Sequence, residues 1–98
     1  MLSLAKKHFS QNGKPNRHAW HDTGTAVGFL LLKATELDLY AHQMAGFYPD
    51  KAREAFNISD EYEPVVMMAL GYLGEEVRPE KPRKEITEFA FAGNEKVV

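Results

Sequence analysis

The stretch EYEPVVMMALGY (residues 61–72) decides the fold class. Val65, Val66, Met67, Met68, Ala69 and Leu70 are apolar without a break, and two of the six are β-branched. A run of this length without alternation reads as a central strand covered on both faces. Pro64 cannot donate to a ladder, so it is tolerable only near the beginning of such a strand.

Working outward, the covering material comes first from upstream. Val27, Leu30, Leu31, Ala34 and Leu37 recur at helical spacing and form one face, with Asp22 as the expected N-cap. Phe29 and Leu32 widen the apolar surface, so this helix is expected to be buried on more than one side. Gly24 and Gly28 lie four apart on it and share a face. Each costs up to about 1 kcal/mol relative to Ala, which close packing against another backbone would offset. The helix is expected to stop near Asp38, followed by a short buried strand in LYAHQM (39–44). Pro49 suits the first turn of a second helix running to about Phe56, with Ala52, Ala55 and Phe56 inward and Asn57 at its C-terminal end.

Upstream again, Leu2 to Phe9 fits either a strand or a helix, and SQNGKPN (10–16) is a loop marked by Asn-Gly and Pro. Downstream, GEEVRPEKPRKE (74–85) reads as an exposed charged linker. ITEFAF (86–91) recovers alternation through Phe89 and Phe91, and reads as the strand of a C-terminal arm. Residues 92–98 read as a frayed tail. A core over 2–73 followed by this arm makes one domain. Two helices are few for so apolar a strand, and the chain seeks more cover than it encodes.

Bulk composition bounds the function. The 98 residues suffice for one domain. Lys and Arg total 12 against 14 Asp and Glu, a net charge of −2, which argues against general nucleic-acid binding. No run is long enough to span a membrane. No cysteine is present, which excludes disulfides and thiolate chemistry and favours a cytoplasmic setting.

Few residues suggest chemistry by type alone. His18 and His21 could converge on a metal across one helical turn, but no cysteine assists, and capping or solvent-facing roles are commoner. Ser3, Ser10 and Ser59 lie in no nucleophile elbow, and the glycines form no phosphate-binding loop. Lys81 and Arg83 are two apart, so in extended chain they project the same way and can grip a phosphate; a solvated linker is the plainer reading. AHQMAGFYPD (41–50) reads either as a turn or as backbone that approaches a ligand at Gly46.

The ordered set WHDTGTAVGFLLLKATELDL (20–39), HQMAGF (42–47), PVVMMALGY (64–72) and KPRKEITEFAF (81–91) resembles the C-terminal half of the nitroreductase family. The likeness covers about residues 2–91. It implies an α+β fold: a mixed sheet wrapped by a long buried helix and a shorter one, in a homodimer whose C-terminal arm swaps between subunits. Residues 2–9 then become a strand. It implies FMN at the dimer interface and hydride transfer from NAD(P)H through flavin to a nitroaromatic or quinone-like acceptor. The flavin carries the redox chemistry and the protein orients it. Carried across residue by residue, Ala45 and Gly46 offer backbone amides at the ring edge, Gln43 and Met44 lie against the ring, and Lys81 and Arg83 hold the phosphate. No catalytic side chain and no metal ligand is implied. Asp38-Leu39 replaces the family's Gly-Leu after the long helix, which asks Asp38 to adopt the left-handed region. Family members are roughly twice this length, so the sequence reads as a truncated domain lacking the N-terminal part of the flavin site. A non-catalytic dimerising relative without flavin is the second reading, and a small metal-binding domain the third.

Overall fold

A computed structural model describes residues 1–75 and 79–96. Strand β1 (Leu2–Lys6) is followed by helix α1 (Ala19–Glu36), β2 (Tyr40–Met44), α2 (Pro49–Phe56) and β3 (Tyr62–Gly71). A single 3-10 turn (Ile86–Glu88) and a small hairpin, β4 (Phe91–Ala92) with β5 (Glu95–Lys96), complete the arm. The class is α+β. The three core strands lie in the order β1-β3-β2, antiparallel throughout.

The long apolar strand is central, as its sequence requires. Pro64 sits opposite Leu4, where it offers no N–H. The Thr23 hydroxyl of α1 lies 3.4 Å from the Leu4 carbonyl and can donate to it. A bulge between Leu2 and Leu4 leaves Ser3 out of register. The Ser3 hydroxyl restores the ladder: it accepts from the Val66 N–H (3.2 Å) and lies within donating distance of the Val66 carbonyl (3.3 Å). Arg53 of α2 bonds Glu63 at 2.5 Å and ties that helix to β3. Pro64 and Met68 of β3 are both buried.

Helix ends follow local chemistry. Pro49 occupies the first turn of α2, and Asn57 closes it in the left-handed conformation at φ 50. Asp38 ends the turn after α1 with φ 58, a region Asp visits more readily than most residues. The start of α1 differs from expectation. The helix begins at Ala19 with His18 as N-cap, and Asp22 lies inside the first turn, where its charge favours the dipole. No side chain caps the helix; Asn16 instead holds its entry, its side chain accepting from the His18 N–H and its carbonyl from the Ala19 N–H.

Burial falls short of expectation in four places. Only Ala19, Val27 and Ala34 of α1 are buried, while Phe29 and Leu32 are each 68% exposed. A Cβ at Gly24 or Gly28 would meet nothing within 4 Å, so neither glycine is approached by this chain's own backbone. In α2 only Ala52 is buried; Ala55 and Phe56 face outward. Strand β2 is an exposed edge strand rather than a buried one. The physical cause is common to all: a three-stranded sheet with two helices has too little mass to cover an all-round apolar helix.

The arm also departs from a strand over 86–91. Glu85 and Glu88 form a reciprocal capping box, which curls this segment into a 3-10 turn. Gly93, at φ 64, then turns the chain so that residues expected to fray pair as β4 and β5. The radius of gyration is 17.2 Å, against about 13 Å for a compact domain of this length, because the arm stands off the core.

Candidate functional site

The strongest candidate is the open edge of β2 and the turn that follows. Met68 exchanges backbone bonds with Met1 on the β1 side, at 2.7 Å each way. Neighbouring Met67 therefore turns its N–H and C=O towards β2. Across that ladder Met44 faces Met67 and His42 faces Ala69, so Ala41 and Gln43 turn their own backbone groups to the free edge. The strand then ends, and the Phe47 N–H bonds the Ala45 carbonyl at 2.9 Å, closing a three-residue turn on Gly46.

Among the described residues, the N–H groups of Ala45 and Gly46 have no protein acceptor. Both residues are exposed, and a Cβ on Gly46 would meet nothing within 4 Å. The glycine is thus not demanded by the chain's own packing. Two free donors on an exposed edge can serve the polar rim of a flat ring, so these residues fit a flavin in kind. Sequence reasoning had no residue type to read for the outward Ala41 and Gln43 amides; only the pairing register reveals them.

The expected ring contacts do not all converge. Gln43 and Met44 are consecutive in a strand, so their side chains point to opposite faces of the sheet. Met44 shares the face of Met67, its cross-strand partner, which lines a cleft with Phe56 of α2. Gln43 shares the face of Met68. A planar ring on one face meets one of these side chains and only the backbone of the other. Tyr48 follows the turn as N-cap of α2, with the Lys51 ammonium 4.9 Å from its ring centre.

Lys81 and Arg83 are exposed in irregular chain, and neither pairs with a described acidic residue. Among the described elements the arm packs substantially only within its own hairpin, so no element contact draws this pair onto β2. Arg78, their companion in the basic cluster, lies outside the described residues. His18 and His21 are exposed on α1, with the His21 Nδ1 3.1 Å from Asp22. No three His, Asp or Glu side chains among the described residues converge on a metal position. No helix among them is long and apolar enough to cross a membrane.

Comparison with known proteins bears on the family and the fold. Residues 2–72 match the nitroreductase family. An uncharacterized 15.4 kDa protein of Mycolicibacterium smegmatis is 33% identical over 87 residues, covering 79% of this chain and 58% of that one. An oxidoreductase containing FMN superposes with a TM-score of 0.71 at 28% identity, over 76% of this chain and 39% of its own. A nitroreductase family protein from Clostridium difficile 630 gives 0.69 at 29% identity, over 91% and 55%. A third, from Streptococcus pneumoniae TIGR4, gives 0.67 at 21% identity, a likeness of fold alone. The chain thus spans 58% of the M. smegmatis relative and 39–55% of the first two solved structures. From the matched core and the shared fold, this chain belongs to the nitroreductase family.

Proposed function

We propose that this chain forms part of an FMN-dependent NAD(P)H oxidoreductase of the nitroreductase type, acting on a nitroaromatic or quinone-like acceptor as a cytoplasmic homodimer. The observation that carries the reading is the pair of unpartnered N–H groups at Ala45 and Gly46 on an open strand edge, in a family with an FMN-containing structural neighbour. FMN, when bound, supplies the hydride acceptor and donor. The chain supplies binding and orientation. Ala45 and Gly46 donate backbone N–H groups to the ring edge, and the bare Gly46 lets main chain approach. Gln43 adds its outward backbone groups and Met44 its side chain on the α2 face. Lys81 and Arg83, which project alike from extended chain, hold the phosphate as charge-assisted donors. Because the arm stands away from its own core, these two reach the site most directly when the arm serves a second copy.

The test is flavin retention. Protein loaded with FMN and passed through gel filtration should elute yellow, and Lys81→Ala with Arg83→Ala should lose the colour. Colourless wild-type protein would leave the second reading, a dimerising relative without flavin. That reading draws on the short span of the relatives covered by this chain.

A further inference from the structure

The segment that follows the Gly46 turn carries two groups that the core does not use. Tyr48 is 74% exposed, and the Lys51 ammonium stands 4.9 Å from its ring centre. The backbone beneath the ring is fixed on both sides. The Phe47 N–H bonds the Ala45 carbonyl just before it, and the Tyr48 carbonyl accepts from the Ala52 N–H at 3.1 Å. Pro49 follows directly and favours the extended backbone of Tyr48, at φ −94 and ψ 105. Two residues of chain span at most about 7 Å, so the ring is mounted beside the unpartnered Ala45 and Gly46 amides.

Lys51 is placed against local preference. It lies in the first turn of α2, where a cation opposes the helix dipole. Asp50 is its neighbour and Glu54 lies one turn on, yet among the described residues no carboxylate pairs with it. Its ammonium rests on an aromatic face instead, and such a contact at an exposed site stabilises little. The pair thus leaves a flat ring and an uncommitted positive charge at the rim of the site proposed above. We infer that Tyr48 and Lys51 select the electron acceptor, favouring one whose aromatic ring carries a carboxylate or another anionic group. Tyr48 stacks on that ring, and the Lys51 ammonium passes from the Tyr48 face to the anion. The pair takes part in no bond change. The inference rests on the oxidoreductase reading and adds the class of acceptor to it.

FMN-loaded protein turning over NAD(P)H tests this with two acceptors of one shape, p-nitrobenzoate and the neutral p-nitrobenzamide. The native chain should favour the anion in kcat/KM about fivefold, as much as an exposed ion pair supplies. Lys51→Met should bring that ratio to about one through the KM for p-nitrobenzoate, and Lys51→Arg should keep it. Salt at about 1 M should erase it. Tyr48→Leu should raise the KM for both acceptors. No preference in the native chain, or a preference that survives Lys51→Met, would overturn the proposal. A change confined to the KM of the donor would overturn the acceptor class and move the pair to the donor's phosphates. Where the protein elutes colourless the oxidoreductase reading fails, and an NMR titration at the Tyr48 ring decides the pair by itself. There p-nitrobenzoate should shift the ring signals more than the amide does; equal shifts, or none, would overturn the selection.

Discussion

Gly46→Ala separates the needs of the fold from the needs of the site. A methyl group at Gly46 would meet nothing within 4 Å, the residue is exposed, and its φ is not in the left-handed region. The native chain therefore loses no contact and gains no strain. The unfolded chain loses freedom, which favours the variant by about 0.4–1 kcal/mol. Thermal unfolding at fixed protein concentration should show an unchanged midpoint or a rise of a few degrees. Flavin binding should respond oppositely, because the new methyl stands where the ring edge must approach the Ala45 and Gly46 amides. A loss of at least about tenfold, near 1.4 kcal/mol, is expected in a fluorescence titration, and Gly46→Val should lose more. A variant that binds FMN as tightly as the native chain would refute the role given to this turn. A fall in midpoint beyond about 8 °C, or roughly 1–2 kcal/mol, would refute the claim that the space around Gly46 is open.

Two further outcomes concern the scaffold. Ser3→Ala removes the hydroxyl that closes the β1 bulge and leaves the part-buried Val66 N–H and C=O unmatched; a loss of about 1–2 kcal/mol is expected in urea unfolding, with Ser3→Thr recovering most of it. At Asp38, whose φ is 58, Gly should give a more stable protein than Ala by about 1 kcal/mol, since only Ala meets the left-handed penalty. Equal midpoints for that pair would mean the turn relaxes to another conformation.

Much of this fold could be read from particular residues. The unbroken Val65–Leu70 run marked the central strand, the Val27–Ala34 spacing marked α1, and Pro49 and Asn57 marked both ends of α2. Each is a local signal with a local cause. What escaped was set by tertiary accounting. Phe29, Leu32 and Phe56 are as apolar as any core residue, and nothing in their spacing says that the matching surface lies elsewhere. The start of α1 escaped because the cap role expected of Asp22 is replaced by a loop in which Asn16 holds the His18 amide. The arm escaped because the Glu85 and Glu88 capping box competes with the alternation of Phe89 and Phe91. The site was legible as a segment, 43–46, yet its opposed side chains were not, since Gln43 and Met44 were placed on one ring without regard to strand alternation.

The open edge of β2 bears on why the site and the assembly belong together. An unpaired strand edge is a template for unwanted pairing, and proteins blunt such edges with short strands, charges, proline or a cover. Strand β2 uses the first device, at five residues, but holds no Asp, Glu, Lys or Arg and no proline. Its outward groups at Ala41 and Gln43 run directly into the free donors of Ala45 and Gly46. The same edge that would bind a stray strand is thus the edge proposed for the flavin, so a bound ring also acts as protection. By mass action, a ligand present at 100 times its dissociation constant adds about 2.7 kcal/mol to stability. That is comparable to fully burying one large apolar side chain. A chain that leaves Phe29, Leu32, Phe89 and Phe91 uncovered has use for both sources. Flavin on one edge and a second copy over the apolar surfaces would supply the cover that its two helices cannot.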